Sequence, residues 1–215
     1  MPHARLAVLA LILALVAAQA VAIDQSRFEA AQERAAMLDQ VRNLLADDSP
    51  SVRLAVFEEV MKDKDPVLRS MAMEAAFNGD DERLQTAGLR QLIKEREFLA
   101  VELIEPMDPT QAQAYTYNIW RELVLKELKI DPANDEVQGR FDTASIANRT
   151  FTGQLNRGGW RLRLANGPYS CNLSLAELNG VDLNGSLDCA ITGRTASDEL
   201  AGGNRATLPF RIRLS

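Results

Sequence analysis

Histidine is almost absent from this chain, since the single one is His3, close to the N-terminus. The segment that contains it is expected to be removed, as argued below, and the imidazole would be lost with it. Ser-His-Asp and Cys-His catalysis and histidine-ligated zinc or copper all need an imidazole. We therefore expect no enzyme, no metal site and no cofactor, although this count leaves open chemistry that uses carboxylates alone or a Ser-Lys pair.

Long hydrophobic runs are also lacking, with one exception at residues 6–18. Arg5 precedes this run without an acidic residue, and small residues lie at its last position, 18, and after it at positions 20 and 22. This order is typical of a secretory signal peptide, whereas a retained anchor that spans a membrane needs about 20 apolar residues. Residues 1–22 are therefore predicted to be a cleaved signal peptide of a periplasmic or secreted protein, with no membrane insertion after cleavage.

Positive charge is in the minority, because 24 lysines and arginines face 30 aspartates and glutamates and the formal net charge is -6. Loss of the signal peptide removes Arg5 and no acid, so the remaining chain is one unit more negative. Proteins that bind nucleic acid need clustered basic side chains. A nucleic-acid partner is therefore not expected.

Cysteine is limited to Cys171 and Cys189. In an oxidising compartment an even pair favours a disulfide over a metal site. We therefore predict that these two residues form a disulfide bond.

Glycine is scarce in the first half of the chain, where only Gly79 and Gly88 occur between residues 28 and 130. Ala, Leu, Glu, Gln, Arg and Met are abundant there, and these are strong helix formers. The other glycines begin at position 139, and Pro132 would end a preceding helix. This contrast predicts an α+β chain with an α-helical domain at 23–131, a linker at 132–147 and a β-domain at 148–215, each with its own core. Residues 91–105 and 111–130 are predicted to be the last helices of the first domain.

An internal repeat occurs inside the helical half. Pro50 aligns with Pro66 and Arg53 with Arg69, in the pattern Asp-x-x-Pro-x-Val/Leu-Arg. Apolar residues recur at i, i+4 and i+8 of each unit, as in amphipathic helices. Residues 47–93 resemble short HEAT-type repeats, although the third unit has Arg83-Leu84-Gln85 where the pattern wants an apolar residue followed by Arg. The resemblance implies an α-solenoid with a surface for protein partners, and the alternative is an irregular helical bundle.

The last third of the chain alternates apolar and polar residues between turn signals, which predicts strands at 149–155, 160–165, 169–176, 182–192 and 205–214. One apolar and one polar face per strand favour an antiparallel sheet, either a small barrel or a sandwich. A hairpin that places Cys171 opposite Cys189 also places Leu173 opposite Leu187 and centres the loop on Gly180.

Several side chains are candidates for binding or chemistry. Trp160 and Tyr169 are candidates for an aromatic platform that binds a ligand, although Trp160 shares its face with Leu162 and Leu164 and core packing is the alternative. Oxygen-bearing residues at 182–188 suggest calcium only weakly, because Gly185 does not fall at the position that an EF-hand requires. Carboxylates for a glycosidase-type pair are Glu58, Glu59, Glu102, Glu105 and Glu122.

The sequence thus favours a non-enzymatic exported protein that acts as a protein-protein interaction or scaffold module. The alternative is a β-domain that binds a small ligand or an envelope polysaccharide. A carboxylate-based hydrolase is the remote alternative.

Overall fold

The computed structural model describes residues 25–156, 159–179, 182–191 and 204–214. The predicted signal peptide lies outside the described residues. Within these ranges the chain forms five helices and eight strands. Four helices precede the first strand, and the fifth lies between the first two strands. The helices are α1 (residues 25–45), α2 (Pro50–Val60), α3 (Pro66–Asn78), α4 (Glu82–Glu95) and α5 (Gln111–Trp120). The strands are β1 (Phe98–Leu103), β2 (Leu123–Asp131), β3 (Glu136–Asp142), β4 (Arg149–Asn156), β5 (Gly159–Asn166), β6 (Tyr169–Asn179), β7 (Asp182–Ile191) and β8 (Arg205–Arg213). None of the helices in the described ranges combines the length and the hydropathy that a membrane-spanning segment needs.

Helices α2, α3 and α4 begin at Pro50, Pro66 and Glu82, which is the same even spacing as that of the sequence repeat. Proline occupies the first turn of α2 and α3, where its missing N–H costs no hydrogen bond. Asp65 and Asp81 cap α3 and α4 by accepting hydrogen bonds from backbone N–H groups. Most of the apolar residues of the repeat, including Leu68, Ala72 and Leu84, are buried, whereas Val52 and Val56 of α2 are partly exposed.

The repeated arginines have equivalent roles in holding these helices together. Arg53 donates to the backbone oxygens of Asp47 and Asp48 and forms an ion pair of 2.7 Å with Asp81. Arg69, the equivalent residue of the next unit, donates to backbone oxygens of the α2–α3 turn and pairs with Glu95. Each arginine therefore ties the turn before its own helix to α4.

The Asp81 carboxylate carries both a cap and an ion pair. Burial raises the pKa of Asp81, but the hydrogen bonds from Arg53 and from the N–H groups of Leu84 and Arg83 outweigh it and hold the pKa below its ordinary value. A lowered pKa in the folded state stabilises the fold above the unfolded-state value near pH 4, and this stabilisation is lost as the pH falls through the folded-state value.

We expect Asp81→Asn to lower the free energy of unfolding at pH 7 by about 2 kcal/mol, the usual contribution of a hydrogen bond to a charged group. Asparagine still caps helices, so the change mainly removes the charge. Urea unfolding at a series of pH values from 7 downward measures the effect, and the difference from the parent should shrink as the pH falls below the unfolded-state pKa and through the lowered folded-state pKa of Asp81. Asp80→Asn is the matched control, because Asp80 is exposed and carries no ion pair among the described residues. A difference that stays constant over the whole acid range would contradict this explanation.

The eight strands form a closed antiparallel barrel in which each strand pairs with its neighbours in sequence and β1 closes on β8. Inward side chains fill the interior, as expected for a barrel of eight strands. Most of the inward residues are less than 5% exposed. They are Leu99, Val101, Leu125, Val137, Phe141, Phe151, Leu155, Trp160, Leu162, Leu164, Cys171, Leu173, Leu183, Leu187, Cys189, Ile191, Leu208, Phe210 and Ile212.

Helices cover both rims of the barrel. Helix α4 packs against β2, β4 and β5, and α3 packs against β6. In the antiparallel barrel, the C-terminal ends of β2, β4 and β6 lie at the same rim as the N-terminal end of β5. These contacts therefore place α3 and α4 across that rim. Arg90 on α4 donates two hydrogen bonds of 2.8 Å to Asp135 in the β2–β3 turn of that rim. Helix α5 packs against β8 at the other end, where Gln113 donates to the backbone oxygen of Thr207.

The predicted fold class, an α-solenoid-like repeat domain followed by a separate small β-domain, is wrong. The helices are short and form no clear solenoid, and strands from residue 98 onward close into one barrel. The helices predicted at 91–105 and 111–130 overlap β1 and β2, and β3 lies within the predicted linker at 132–147. The barrel was one of the two predicted sheet arrangements, and the five predicted strands correspond to β4 through β8.

The predicted pairing of the disulfide hairpin is confirmed over most of its length. Cys171 pairs with Cys189 and Leu173 with Leu187, and a disulfide joins the two cysteines. A bulge after Leu175 then shifts the register by one residue, so Asn179 pairs with Asp182. The hairpin is therefore not centred on Gly180 as predicted, and Gly180 itself lies outside the described residues.

Candidate functional site

The two aromatic residues proposed as a ligand platform lie far apart. Trp160 is only 2% exposed and fills the barrel near the rim that α3 and α4 cover. Tyr169 starts β6 at the opposite rim, opposite Asn166. About six residues of extended strand, or roughly 20 Å, separate these positions. The structure does not bring them together, and Trp160 packs in the core.

Tyr169 instead contacts Tyr115 of α5. The two hydroxyl groups are 2.8 Å apart and the ring centroids 6.3 Å. Burial and the hydrogen bond with Tyr115 raise the pKa of Tyr169 to about 12. The phenol is therefore neutral under physiological conditions, and its contact fixes α5 against β6.

The candidate carboxylates are spread over different elements. Glu58 and Glu59 lie on α2, and Glu102 on β1 forms ion pairs of 3.0 Å and 3.4 Å with Arg211 and Arg213. The oxygen-bearing residues of 182–188 alternate along β7 with the buried Leu183 and Leu187. Among the described residues no three His, Cys, Asp or Glu side chains are placed to hold one metal ion. The polar residues of 182–188 form part of the outer face of the barrel.

A concave groove of about 640 Å³ lies among the first four helices. We call it the helical groove; its lining is Arg42, Leu45, Ala46, Arg53, Met71, Glu74, Ala75, Asn78, Gly79, Asp80, Asp81 and Leu84. Side chains of Leu45, Met71, Ala75 and Leu84 give it an apolar floor. Its volume is in the range of pockets that bind small ligands or a few side chains of a peptide.

Charged side chains surround the apolar floor of the helical groove. Arg53 and Asp81 pair with each other, and Arg42 pairs with Asp39 at 2.5 Å. Glu74 and Asp80 are exposed, and neither forms an ion pair with any described residue. The charged side chains at this rim that have no ion-pair partner among the described residues are therefore acidic.

A second depression, of about 500 Å³, lies on the outside of the barrel over β3 to β6. We call it the polar wall; its lining is Glu136, Thr152, Gly153, Gln154, Asn156, Arg161, Arg163 and Asn172. The sequence prediction did not include it. The outward positions of the alternating strands were the available signal, because every second residue of β4 and β5 must face away from the core.

Comparison of the chain with protein-family models, with curated proteins and with solved structures found no significant match to any of them.

Proposed function

We propose that this chain is a non-enzymatic exported interaction protein that binds an apolar segment of a protein partner in the helical groove. The observation that supports the proposal is a groove of about 640 Å³ with an apolar floor and with acidic side chains at its rim that form no ion pair with a described residue. Helix-in-groove recognition places an apolar helix face into such a depression. The expected partner segment is an amphipathic helix with basic residues beside its apolar face.

The lining also supports a binding role over a catalytic one. It contains no serine, cysteine or histidine, and its Arg53 and Asp81 side chains are engaged with each other. The remaining acids, Glu74 and Asp80, lie at the edge of an apolar surface where they can attract a basic partner. Charge complementarity of this kind steers association and selects the partner.

The disulfide supports an exported location, because disulfides persist mainly in oxidising compartments. We propose that residues 1–22 are the signal peptide that directs this export. The mature N-terminus would then be residue 21 or 23, according to which of the two small-residue positions is cleaved.

A photoreactive phenylalanine analogue introduced at Met71, in cells that export the protein, tests the helical groove. We expect Met71 to crosslink to one dominant protein, and a basic amphipathic peptide from that partner to bind the purified protein. Glu74→Lys combined with Asp80→Lys should weaken this binding at least about tenfold, which is about 1.4 kcal/mol. Both side chains are exposed, so the thermal midpoint should not change.

The same analogue at Gln138 is the matched control, because this exposed residue lies on the barrel rather than on the helices. Equal crosslinking from both positions would indicate random collision and contradict the proposal. Binding that the two charge reversals leave unchanged would contradict the assigned role of the acidic rim.

A further inference from the structure

Two rows of polar side chains cross the outside of the barrel. The strand register aligns them as neighbours from β3 to β8. The first row is Gln138, Thr152, Arg163, Asn172, Asp188 and Thr207, and the second is Glu136, Gln154, Arg161, Ser174 and Ser186, which ends beside Pro209 of β8. The polar wall lies where the two rows cross β4, β5 and β6.

Arg161 and Arg163 lie at the centre of these rows, and both are exposed. Neither forms an ion pair with a described residue, although acidic residues are in excess in this chain. Their nearest carboxylates along the rows, those of Glu136 and Asp188, are two strands away, or about 10 Å between Cα atoms. Within the described part of the chain, no carboxylate therefore competes with an external anion for these two guanidinium groups.

The carboxylate of Asp188 on β7 already has hydrogen-bond partners. Asp188 accepts hydrogen bonds from Ser186 at 3.0 Å and from Thr207 at 2.6 Å. By contrast, the outward Arg211 and Arg140 on other strands of the barrel have carboxylate partners. Asp188 is thus engaged by hydroxyl groups, and Glu136, the one acid that lines the polar wall, forms no ion pair with Arg161 or Arg163.

The other lining residues indicate what kind of anion fits. Thr152, Gln154, Asn156 and Asn172 offer hydroxyl and amide groups that both donate and accept hydrogen bonds. The lining has no aromatic ring on which a nucleic-acid base could stack. It also has no large apolar side chain of the kind that anchors a protein partner. A ligand rich in hydroxyl groups and bearing negative charge matches this surface.

We propose that the polar wall binds an acidic glycan, with its carboxylate or sulfate groups on Arg161 and Arg163 and its hydroxyl groups on the surrounding amides. Arginines two apart on one strand have Cα atoms about 6.6 Å apart, and each guanidinium can hold one anionic group through two parallel hydrogen bonds. This site is independent of the helical groove. Polysaccharide binding by the β-domain was the alternative function that the sequence left open. The proposal assigns it to the outer wall of the barrel and not to Trp160.

Titration calorimetry on the full disulfide-bonded protein tests the proposal, with an oligogalacturonate, a heparin oligosaccharide, a neutral dextran oligosaccharide and single-stranded DNA as separate probes. We expect at least one acidic glycan to bind, the neutral glycan not to bind, and the DNA to bind more weakly. Failure of both acidic glycans to bind, or tighter binding of the DNA, would overturn the proposal.

Variants then locate the site. Arg161→Gln with Arg163→Gln should weaken glycan binding at least tenfold, and replacement of both by lysine should have an intermediate effect because lysine keeps the charge without the bidentate geometry. Arg83→Gln with Arg149→Gln removes the same charge from exposed positions elsewhere and should change binding less than twofold. Equal losses in the two glutamine pairs would show general electrostatic attraction and overturn the assignment.

Discussion

Replacement of Gly185 by valine is expected to abolish folding. Gly185 is at the middle of β7, on the inward face between Leu183 and Leu187. A Cβ atom at this position would lie 2.1 Å from the backbone oxygen of Ser174 on β6 and 2.6 Å from the ring of Phe210 on β8. The first contact is with backbone, so a change of side-chain rotamer cannot relieve it.

The expected size of this effect follows from how cores tolerate added volume. Overpacking usually costs about 1–3 kcal/mol when side chains can shift. Here two strands of a closed barrel would have to separate, and we expect a cost above about 4 kcal/mol, beyond the usual range for overpacking. That is close to the entire stability of many domains, which is about 5–15 kcal/mol.

Soluble yield and the circular dichroism spectrum of the exported protein measure the outcome for Gly185→Val. Ser186→Val is the matched control, since Ser186 is the next residue on the same strand and its side chain points outward. We expect the control to fold with a loss below about 1 kcal/mol. A folded Gly185→Val protein with unchanged thermal midpoint would show that the barrel is not closed at β7 as described.

Strands β4 to β8 could be predicted from the sequence because their inward and outward residues differ sharply in polarity. The same period of two is present in β1, where Leu99, Val101 and Leu103 are buried and the residues between them are exposed. It was not recognised because Ala, Leu and Glu are strong helix formers, and β-propensity depends on context more than helix propensity does. The segment forms a strand despite this local preference for helix. The barrel needs strands in addition to β4–β8 in order to close and leave no strand edge unpaired.

The two depressions differed in how far the sequence could predict them. The apolar stripes of the helices indicated a surface for protein partners, and α2, α3 and α4 follow the spacing of the sequence repeat. The pairing state of Arg161 and Arg163 could not be predicted, because it depends on which acids other elements have already engaged. Asp188, for example, is held by Thr207 of the following strand, β8.

Two domains that each have their own core, as the sequence predicts, would unfold independently, whereas the structure leads us to expect a single transition. One continuous hydrophobic cluster extends from Leu45 of α1 through Phe77 and Ile93 of the helices to Ile212 of β8. The apolar faces of α3 and α4 are therefore buried partly against the barrel. If the barrel opens, these helices lose the surface that keeps them folded.

Reduction of the Cys171–Cys189 disulfide is therefore expected to lower a single unfolding transition of the whole described chain. The two cysteines are 18 positions apart in the sequence, and a bridge that closes a loop of this size stabilises by about 3 kcal/mol in the chain-entropy model. For a protein of this size that corresponds to a fall in thermal midpoint of about 10 °C.

Two probes distinguish a single transition from two independent ones. Circular dichroism at 222 nm follows mainly the helices, and tryptophan fluorescence follows the barrel, because Trp160 lies inside it and Trp120 stacks on Phe141 of β3. Both midpoints should coincide in the oxidised protein and fall by the same amount after reduction, since helices without the barrel rim would expose apolar residues such as Phe77 and Ile93. Cys171→Ala with Cys189→Ala, measured without reductant, should reproduce the common shift. If reduction lowers the fluorescence midpoint and leaves the 222 nm midpoint in place, the helices are stable on their own and the shared core does not couple them to the barrel.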